Sequence, residues 1–199
     1  MMLPVVLDLA RVPIALVGRD AQALKRLHHL EADGVRRVRI FSDAPSDALR
    51  AYAGERLVEH LPNAADLAGS RVVFIADMPP EEIGDIAIAA TVAGALVNVE
   101  DQRGWCDFHS PSVVRRGDLL ISVSTNGQSP ALAKRVRTML EALFPPAWAA
   151  RVVELGRLRR RLREHGLAAE VAGATDALIA NRGWLPDIND AETRRHAHR

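Results

Sequence analysis

Cysteine and tyrosine each occur once among these 199 residues, and aromatic side chains make up only 4% of the chain. A lone Cys106 excludes an internal disulfide framework and any Cys-rich zinc or iron–sulfur site. The single tyrosine, Tyr52, is followed at the i+4 position by Arg56, which removes the Tyr-x-x-x-Lys pair of short-chain dehydrogenases. Charge of one sign is not in excess either: 26 basic against 25 acidic residues leave a formal net charge of +1. That balance gives no electrostatic case for nucleic acid or an anionic membrane, and the few aromatics show no basic stacking pattern. No apolar run approaches the ~20 residues needed to span a bilayer. Met1 to Arg11 has neither a basic n-region nor a cleavage pattern, so no signal peptide is expected and a reducing cytoplasm is the expected compartment.

What is present is an ordinary globular composition, 48% hydrophobic and 26% charged, enough to bury a core as one domain with an appendage or two small domains. The first half alternates short apolar runs with helical periods. Pro13 to Gly18 reads as a buried strand ending in a glycine turn. Ala23, Leu27 and Leu30, with Leu24 beside them, define a helix face that Gly34 terminates. Arg37–Phe41 is a second strand, Arg56–Glu59 a weak third and Arg71–Ala76 a fourth, continuously apolar as buried parallel strands are. A helix over Pro80–Ala93 and a strand over Ala95–Val99 follow. Strand–helix alternation with short connections predicts an α/β fold, a doubly wound parallel sheet of Rossmann type.

Beyond residue 110 the pattern changes. Two strands, Ser112–Arg116 and Asp118–Val123, join at Gly117, and a polar loop runs to Ser129-Pro130, a hydroxyl cap followed by proline at the first helical position. Leu132, Val136, Met139 or Leu140, and Leu143 give that helix its apolar face. Pro146 opens a further helical stretch with Trp148, Val152, Leu155 and Leu162 on one side, and Arg157, Arg159, Arg160, Arg161 and Arg163 form its expected solvated face. From Asp187 the chain is polar; the tail histidines His196 and His198 are read as part of a frayed end.

A strand running through Gly18 into a helix is the geometry that seats a dinucleotide pyrophosphate on a helix N-terminus. The expected G-x-G-x-x-G/A reads here Gly18-Arg19-Asp20-Ala21-Gln22-Ala23. The middle glycine is Asp20, a bulky like charge whose repulsion at ~4 Å runs from ~1 kcal/mol in water to ~4 kcal/mol near a protein surface. The alternative is that Asp20 caps the helix, facing away, while Arg19 reaches the phosphate. Asp43 closes the second strand, near the spacing of roughly 20 residues at which an acid meets the ribose hydroxyls; a plain turn aspartate is the competing reading. Arg37 and Arg39 leave the choice between NAD and NADP open.

Three blocks of the second half are specific: Asn98-Val99-Glu100-Asp101; Cys106-Asp107-Phe108-His109-Ser110-Pro111; and Arg116 through Ser124-Thr125-Asn126-Gly127-Gln128-Ser129-Pro130 to Arg137. Together they resemble the siroheme-synthase N-terminal module, the precorrin-2 dehydrogenase/sirohydrochlorin ferrochelatase family, in its stand-alone form. The family reads roughly N-V-x-D, then F-x-x-P, then S-T/S-G-G-x-S-P-x-L-A-R-x-[IVL]-R. The resemblance implies an NAD-dependent dehydrogenase that oxidises precorrin-2 to sirohydrochlorin, with ferrous iron as a further substrate in many members, acting as a homodimer.

Carried over by position, Asp101 takes the catalytic carboxylate's place, as base for the proton lost when hydride leaves. Asn98, Ser124, Thr125, Asn126, Gly127 and Ser129 fall on the substrate side. Gly18, Asp20, Ala21, Gln22, Ala23, Asp43, Ala44, Ala76 and Asp77 fall on the cofactor side. Arg115, Arg116, Lys134 and Arg135 are candidates for the substrate's carboxylates, with a solvated face as the alternative; His109 and Cys106 are read as structural. The family's A-A-T-D-D after the fourth strand is here Ile75-Ala76-Asp77-Met78-Pro79, so both main departures, at Asp20 and Asp77, lie on the cofactor side. The implied organisation is a dinucleotide domain over 1–110, a dimerisation and substrate segment over 111–145, a helical part over 146–186 and a tail over 187–199. A non-redox chelatase or tetrapyrrole-binding protein, impaired in NAD binding by Asp20, is the alternative function.

Overall fold

The structure is a computed structural model describing residues 3–185, so the tail with His196 and His198 lies outside the described residues. The chain divides into two compact units that meet at Ser110 and Pro111.

The first unit is built on five parallel strands: β1 (Ile14–Val17), β2 (Val38–Phe41), β3 (Leu57–Val58), β4 (Val72–Ile75) and β5 (Leu96–Val99), in the order β3-β2-β1-β4-β5. Val17 lies opposite Phe41 on one side and Ile75 on the other. Helices α1 (Ala21–Ala32), α2 (Asp47–Ala53) and α3 (Pro80–Val92) make the connections. The doubly wound expectation therefore holds. All four residues of β1 are buried, because the strand is covered on both faces, and period two divides them. Ile14 and Leu16 join Leu27, Leu30 and Leu49 beneath α1 and α2. Ala15 and Val17 join Ile83, Ile86 and Val97 beneath α3. A fully buried leucine such as Leu27 contributes about 1.5–3 kcal/mol.

The chain leaves β1 toward β2 and β3, then returns to β4 on the other side of β1. That reversal opens a crevice at the carboxyl ends of β1 and β4, where open α/β sheets bind ligands. The outer edge of β5 is closed by the chain itself: the Asp107 amide donates to Val97 O (2.8 Å) and its carboxylate accepts from Val97 N (2.9 Å). A bare edge that would template foreign strands is thereby blunted.

Helix α2 is absent from the sequence reading although its start signal is present. Ser46 accepts from the Leu49 amide as an N-cap, but only two of seven residues are buried, too few for a visible periodicity.

The second unit pairs β6 (Ser112–Arg116) with β7 (Leu119–Val123) as an antiparallel hairpin, Val114 opposite Ile121. Helices α4 (Pro130–Leu143), α5 (Trp148–Glu164) and α6 (Val171–Asn181) follow. The α4 start is as expected, with Ser129 Oγ accepting from the Leu132 amide and Pro130 in the first turn. Its expected apolar face is only partly covered, with Val136 and Leu140 half-buried. Ala133 is the buried residue, while Leu132, Met139 and Leu143 are 51%, 60% and 65% exposed. A small side chain lets the helix lie close on the hairpin, and Leu132, Met139 and Leu143 point away. On α5, Trp148 is buried and the five arginines are exposed, as expected. Trp148 packs against Phe144 and Trp184, with the Arg151 guanidinium over both indoles at 5.0 and 5.3 Å.

Candidate dinucleotide crevice and substrate loop

The crevice begins at Gly18. A Cβ there would fall inside contact distance of the Ala76 carbonyl oxygen and 2.7 Å from the Ala23 Cβ, so only glycine lets β1, β4 and the first turn of α1 close together. Ala23 and Ala76 are buried as partners of that contact. The closure aims the first amides of α1 into the crevice, where unsatisfied N–H groups and the helix dipole favour an anion.

An anion is already there, and it comes from the chain. Asp77 Oδ2 accepts from the amides of Gln22 (2.6 Å) and Ala23 (2.9 Å). Asp20, the helix N-cap by position, makes no side-chain capping bond and is exposed beside Ala21. The capping reading of Asp20 is therefore corrected: at φ −139° and ψ −147° its side chain turns outward, and a carboxylate distant in sequence takes the amides. Two donors converging on one carboxylate oxygen are also a fitting donor set for a phosphate oxygen, so the residues present fit a pyrophosphate.

Arg19 does not reach toward that position. Its Nε and Nη2 each lie 2.7 Å from a carboxylate oxygen of Asp43, and Nη2 is 2.6 Å from Glu82. The two carboxylates raise the affinity of the guanidinium for its proton. In return, the bond from Arg19 holds the Asp43 carboxyl below the usual carboxylate range, helped by the backbone at Asp43 and Ala44. Asp43 and Ala44 are exposed at the end of β2, the place at which an acid meets ribose hydroxyls. Glu82 also borders an open cleft of about 300 Å³ whose walls include Leu61, Pro62, Ile86 and Ala89, a flat apolar recess that sequence reasoning missed because its walls come from a loop and a helix far apart in sequence. Arg39 is turned away, stacked at 5.3 Å on Phe41 and bonded to the Asp66 carbonyl.

At the end of β5, Asp101 is exposed with φ +59°. Asn98, expected on the substrate side, is instead 7% exposed, and its amide donates to the Phe108 carbonyl at 2.9 Å. Cys106 Sγ lies 3.2 Å from both the amide and the carbonyl of Val99. Both residues tie the 105–108 segment to β5, which leaves Asp101 at the rim.

In the second unit Asn126 and Gly127 have φ of +52° and +68°, and the Gln128 amide donates to Thr125 O at 2.9 Å. This is a tight turn with both central residues left-handed, the conformation for which Asn-Gly is the preferred pair. Ser124 Oγ accepts from the Asn126 amide and Thr125 Oγ1 from the Ser129 amide, so the hydroxyls of the loop set its shape. Arg116 is committed to the carbonyls of Phe144 (2.6 Å), Arg115 and Glu141 at the end of α4, a helix C-cap, whereas Lys134 and Arg135 are exposed. Among the described residues, the non-glycine positions at positive φ are Asp77, Asp101 and Asn126. All three are positions nominated from sequence, and such strain concentrates at functional sites.

A doubly wound sheet whose first helix presents its N-terminus at the switch point defines a dinucleotide-binding domain. Residues 5–112 match the family described as "Putative NAD(P)-binding", and residues 116–143 match the "Sirohaem biosynthesis protein central" family. The chain belongs to that NAD(P)-binding family. It is 31% identical over 164 residues to siroheme synthase 1 of Pectobacterium atrosepticum, covering 81% of this chain and 34% of that protein. Over 165 residues it is 32% identical to the siroheme synthase of Thioalkalivibrio sulfidiphilus, covering 80% and 34%. The chain thus spans about a third of the length of these curated relatives. Its fold matches the solved structure of "SirC, precorrin-2 dehydrogenase" with a TM-score of 0.69 at 18% identity over 98% of both chains.

Proposed function

We propose that the protein catalyses the NAD-dependent dehydrogenation of precorrin-2 to sirohydrochlorin. The observation that carries this reading is the crevice itself: two α1 amides converge on an anion position at the switch point, with the Asp43 carboxylate one strand away. NAD, when bound, supplies the hydride acceptor. In this reading the Gln22 and Ala23 amides hold the pyrophosphate, Asp43 the adenosine ribose, and the cleft beside Glu82 the adenine. Asp101 takes the proton lost as the macrocycle is oxidised, and Ser124, Thr125, Asn126, Gly127 and Ser129 face the substrate's carboxylates. The same carboxylate can remove pyrrole protons if ferrous iron is a second substrate.

A homodimer is supported by the exposed stripe Leu132, Met139 and Leu143 on α4, spaced along one helix face. In this reading 111–145 is the dimerisation and substrate segment and 146–186 the helical part, of which the described residues end at 185. The cytoplasm is the matching compartment; no helix among the described residues is long and apolar enough to cross a membrane.

The test is anaerobic incubation of the protein with precorrin-2 and NAD, following NADH and sirohydrochlorin by absorbance. Matched appearance of both supports the reading, and consumption of precorrin-2 without NADH sinks it. A non-redox tetrapyrrole protein is the second reading. The bonds that Asp77 makes to the α1 amides favour it, and iron insertion into supplied sirohydrochlorin in the absence of NAD turnover would select it.

A further inference from the structure

The amides that receive a pyrophosphate in a dinucleotide domain are held here by a side chain of the protein. We infer that Asp77 is a built-in competitor for the cofactor: its carboxylate occupies the N-terminus of α1 in the free protein and leaves when a dinucleotide enters. This rests on the dinucleotide reading of the crevice, which the family match over residues 5–112 supports.

The geometry leaves little room for sharing. One oxygen, Asp77 Oδ2, takes both the Gln22 and Ala23 protons, and each amide has one proton to give. A phosphate oxygen brought to the same pair would meet a carboxylate of like charge within a few ångströms, inside the screening length of the solvent. The first turn of α1 has no acidic residue of its own, and its N-cap side chain makes no capping bond. Asp77, 55 residues from Gln22, is therefore the side chain that satisfies these donors, and the cofactor takes them from it.

The carboxylate is also held in readiness. Asp77 sits at φ +55°, a conformation that aspartate tolerates better than most residues. Pro79 and Pro80 follow it at the start of α3 and restrict the chain on that side. Departure of the side chain costs two charge-assisted bonds and allows the backbone to relax. The free protein is thus capped and ordered at α1, and the apparent dissociation constant is the intrinsic one divided by the fraction of molecules in which Asp77 has left. A neutral side chain in this place would carry no charge and impose no such competition.

Affinity for NAD and for ADP is the direct readout, measured by titration calorimetry on the full chain for wild type, Asp77→Ala and Asp77→Asn. Backbone amide resonances of Gln22 and Ala23 are followed in parallel. Asp77→Ala is expected to bind NAD about 10-fold more tightly or better, with Asp77→Asn between it and wild type. The two amides should shift on substitution and shift again when ADP is added. Equal affinity in wild type and variants, or weaker binding in Asp77→Ala, overturns the inference and leaves the dinucleotide reading standing. Failure of all three to bind NAD or ADP removes the dinucleotide reading and the inference with it. Should Asp77→Ala not fold, Asp77→Asn against wild type decides by the same criterion.

Discussion

Arg19 and Asp43 meet end to end in a two-point ion pair, Nε and Nη2 of one guanidinium each 2.7 Å from an oxygen of the other side chain. The pair joins the turn after β1 to the end of β2. It holds the Asp43 carboxyl below its ordinary range, so its contribution to stability is complete above the unfolded carboxylate value and is lost as pH falls through the lower folded value. With the Asp43 side chain 39% exposed, solvent screening keeps that contribution below about 1 kcal/mol. Asp43→Asn should therefore lower the urea midpoint slightly at neutral pH, and the difference from wild type should shrink and vanish as pH falls through the lowered Asp43 value.

Two carboxylates, Asp43 and Glu82, neutralise Arg19 and leave a net negative corner where the adenosine ribose is expected. An additional phosphate on that ribose is repelled, and Arg19 is already paired with both carboxylates. NADP should bind at least about 10-fold more weakly than NAD. The double variant Asp43→Asn/Glu82→Gln releases Arg19 to pair with a phosphate, and should narrow or invert that ratio when both cofactors are titrated.

How far these relationships were legible in the sequence differs by element. The strands at 14–17 and 72–75 stand out because both of their faces are buried, which makes the apolar run continuous. The stretch before Pro130 was legible only as a polar loop, and its left-handed turn at Asn126-Gly127 came with the structure. The cap on α1 was not. Asp20 stands where a cap belongs, yet the bond comes from Asp77 across an intervening β-α-β crossing, and no local pattern encodes a contact that long. The apolar face of α4 was legible as a face but not as an outward one, because periodicity locates a stripe and only tertiary packing decides which side meets the hairpin.

Gly18 is held by space and not by a positive φ. A methyl group there would overlap the Ala76 carbonyl oxygen and the Ala23 Cβ, of which the first is backbone and cannot swing aside. Gly18→Ala should cost about 1–3 kcal/mol, lowering the thermal midpoint seen by circular dichroism, and should weaken dinucleotide binding by shifting the α1 amides.

The exposed stripe on α4 predicts the oligomeric state. Met139 is 60% exposed, between Leu132 and Leu143 on the stripe, and a charge placed there would have to be desolvated in any interface that covers it. Met139→Glu should move the protein from dimer to monomer in sedimentation equilibrium while leaving the helical spectrum unchanged. A wild-type protein already monomeric at micromolar concentration would remove the dimer from the proposed function.

Asp101 separates strain held for function from strain without a role. Its φ of +59° costs an L-residue up to about 1–2 kcal/mol, and asparagine and glycine tolerate that region. Asp101→Asn should therefore fold with near wild-type stability, and Asp101→Gly should be slightly more stable than wild type in thermal melts. If the carboxylate is the base, both variants should lose about 10²- to 10⁴-fold in NADH formation with precorrin-2, while their affinity for NAD stays within a factor of about two. A stable Asp101→Gly that keeps full turnover would assign the left-handed aspartate to the turn after β5 alone and return the proton to another group.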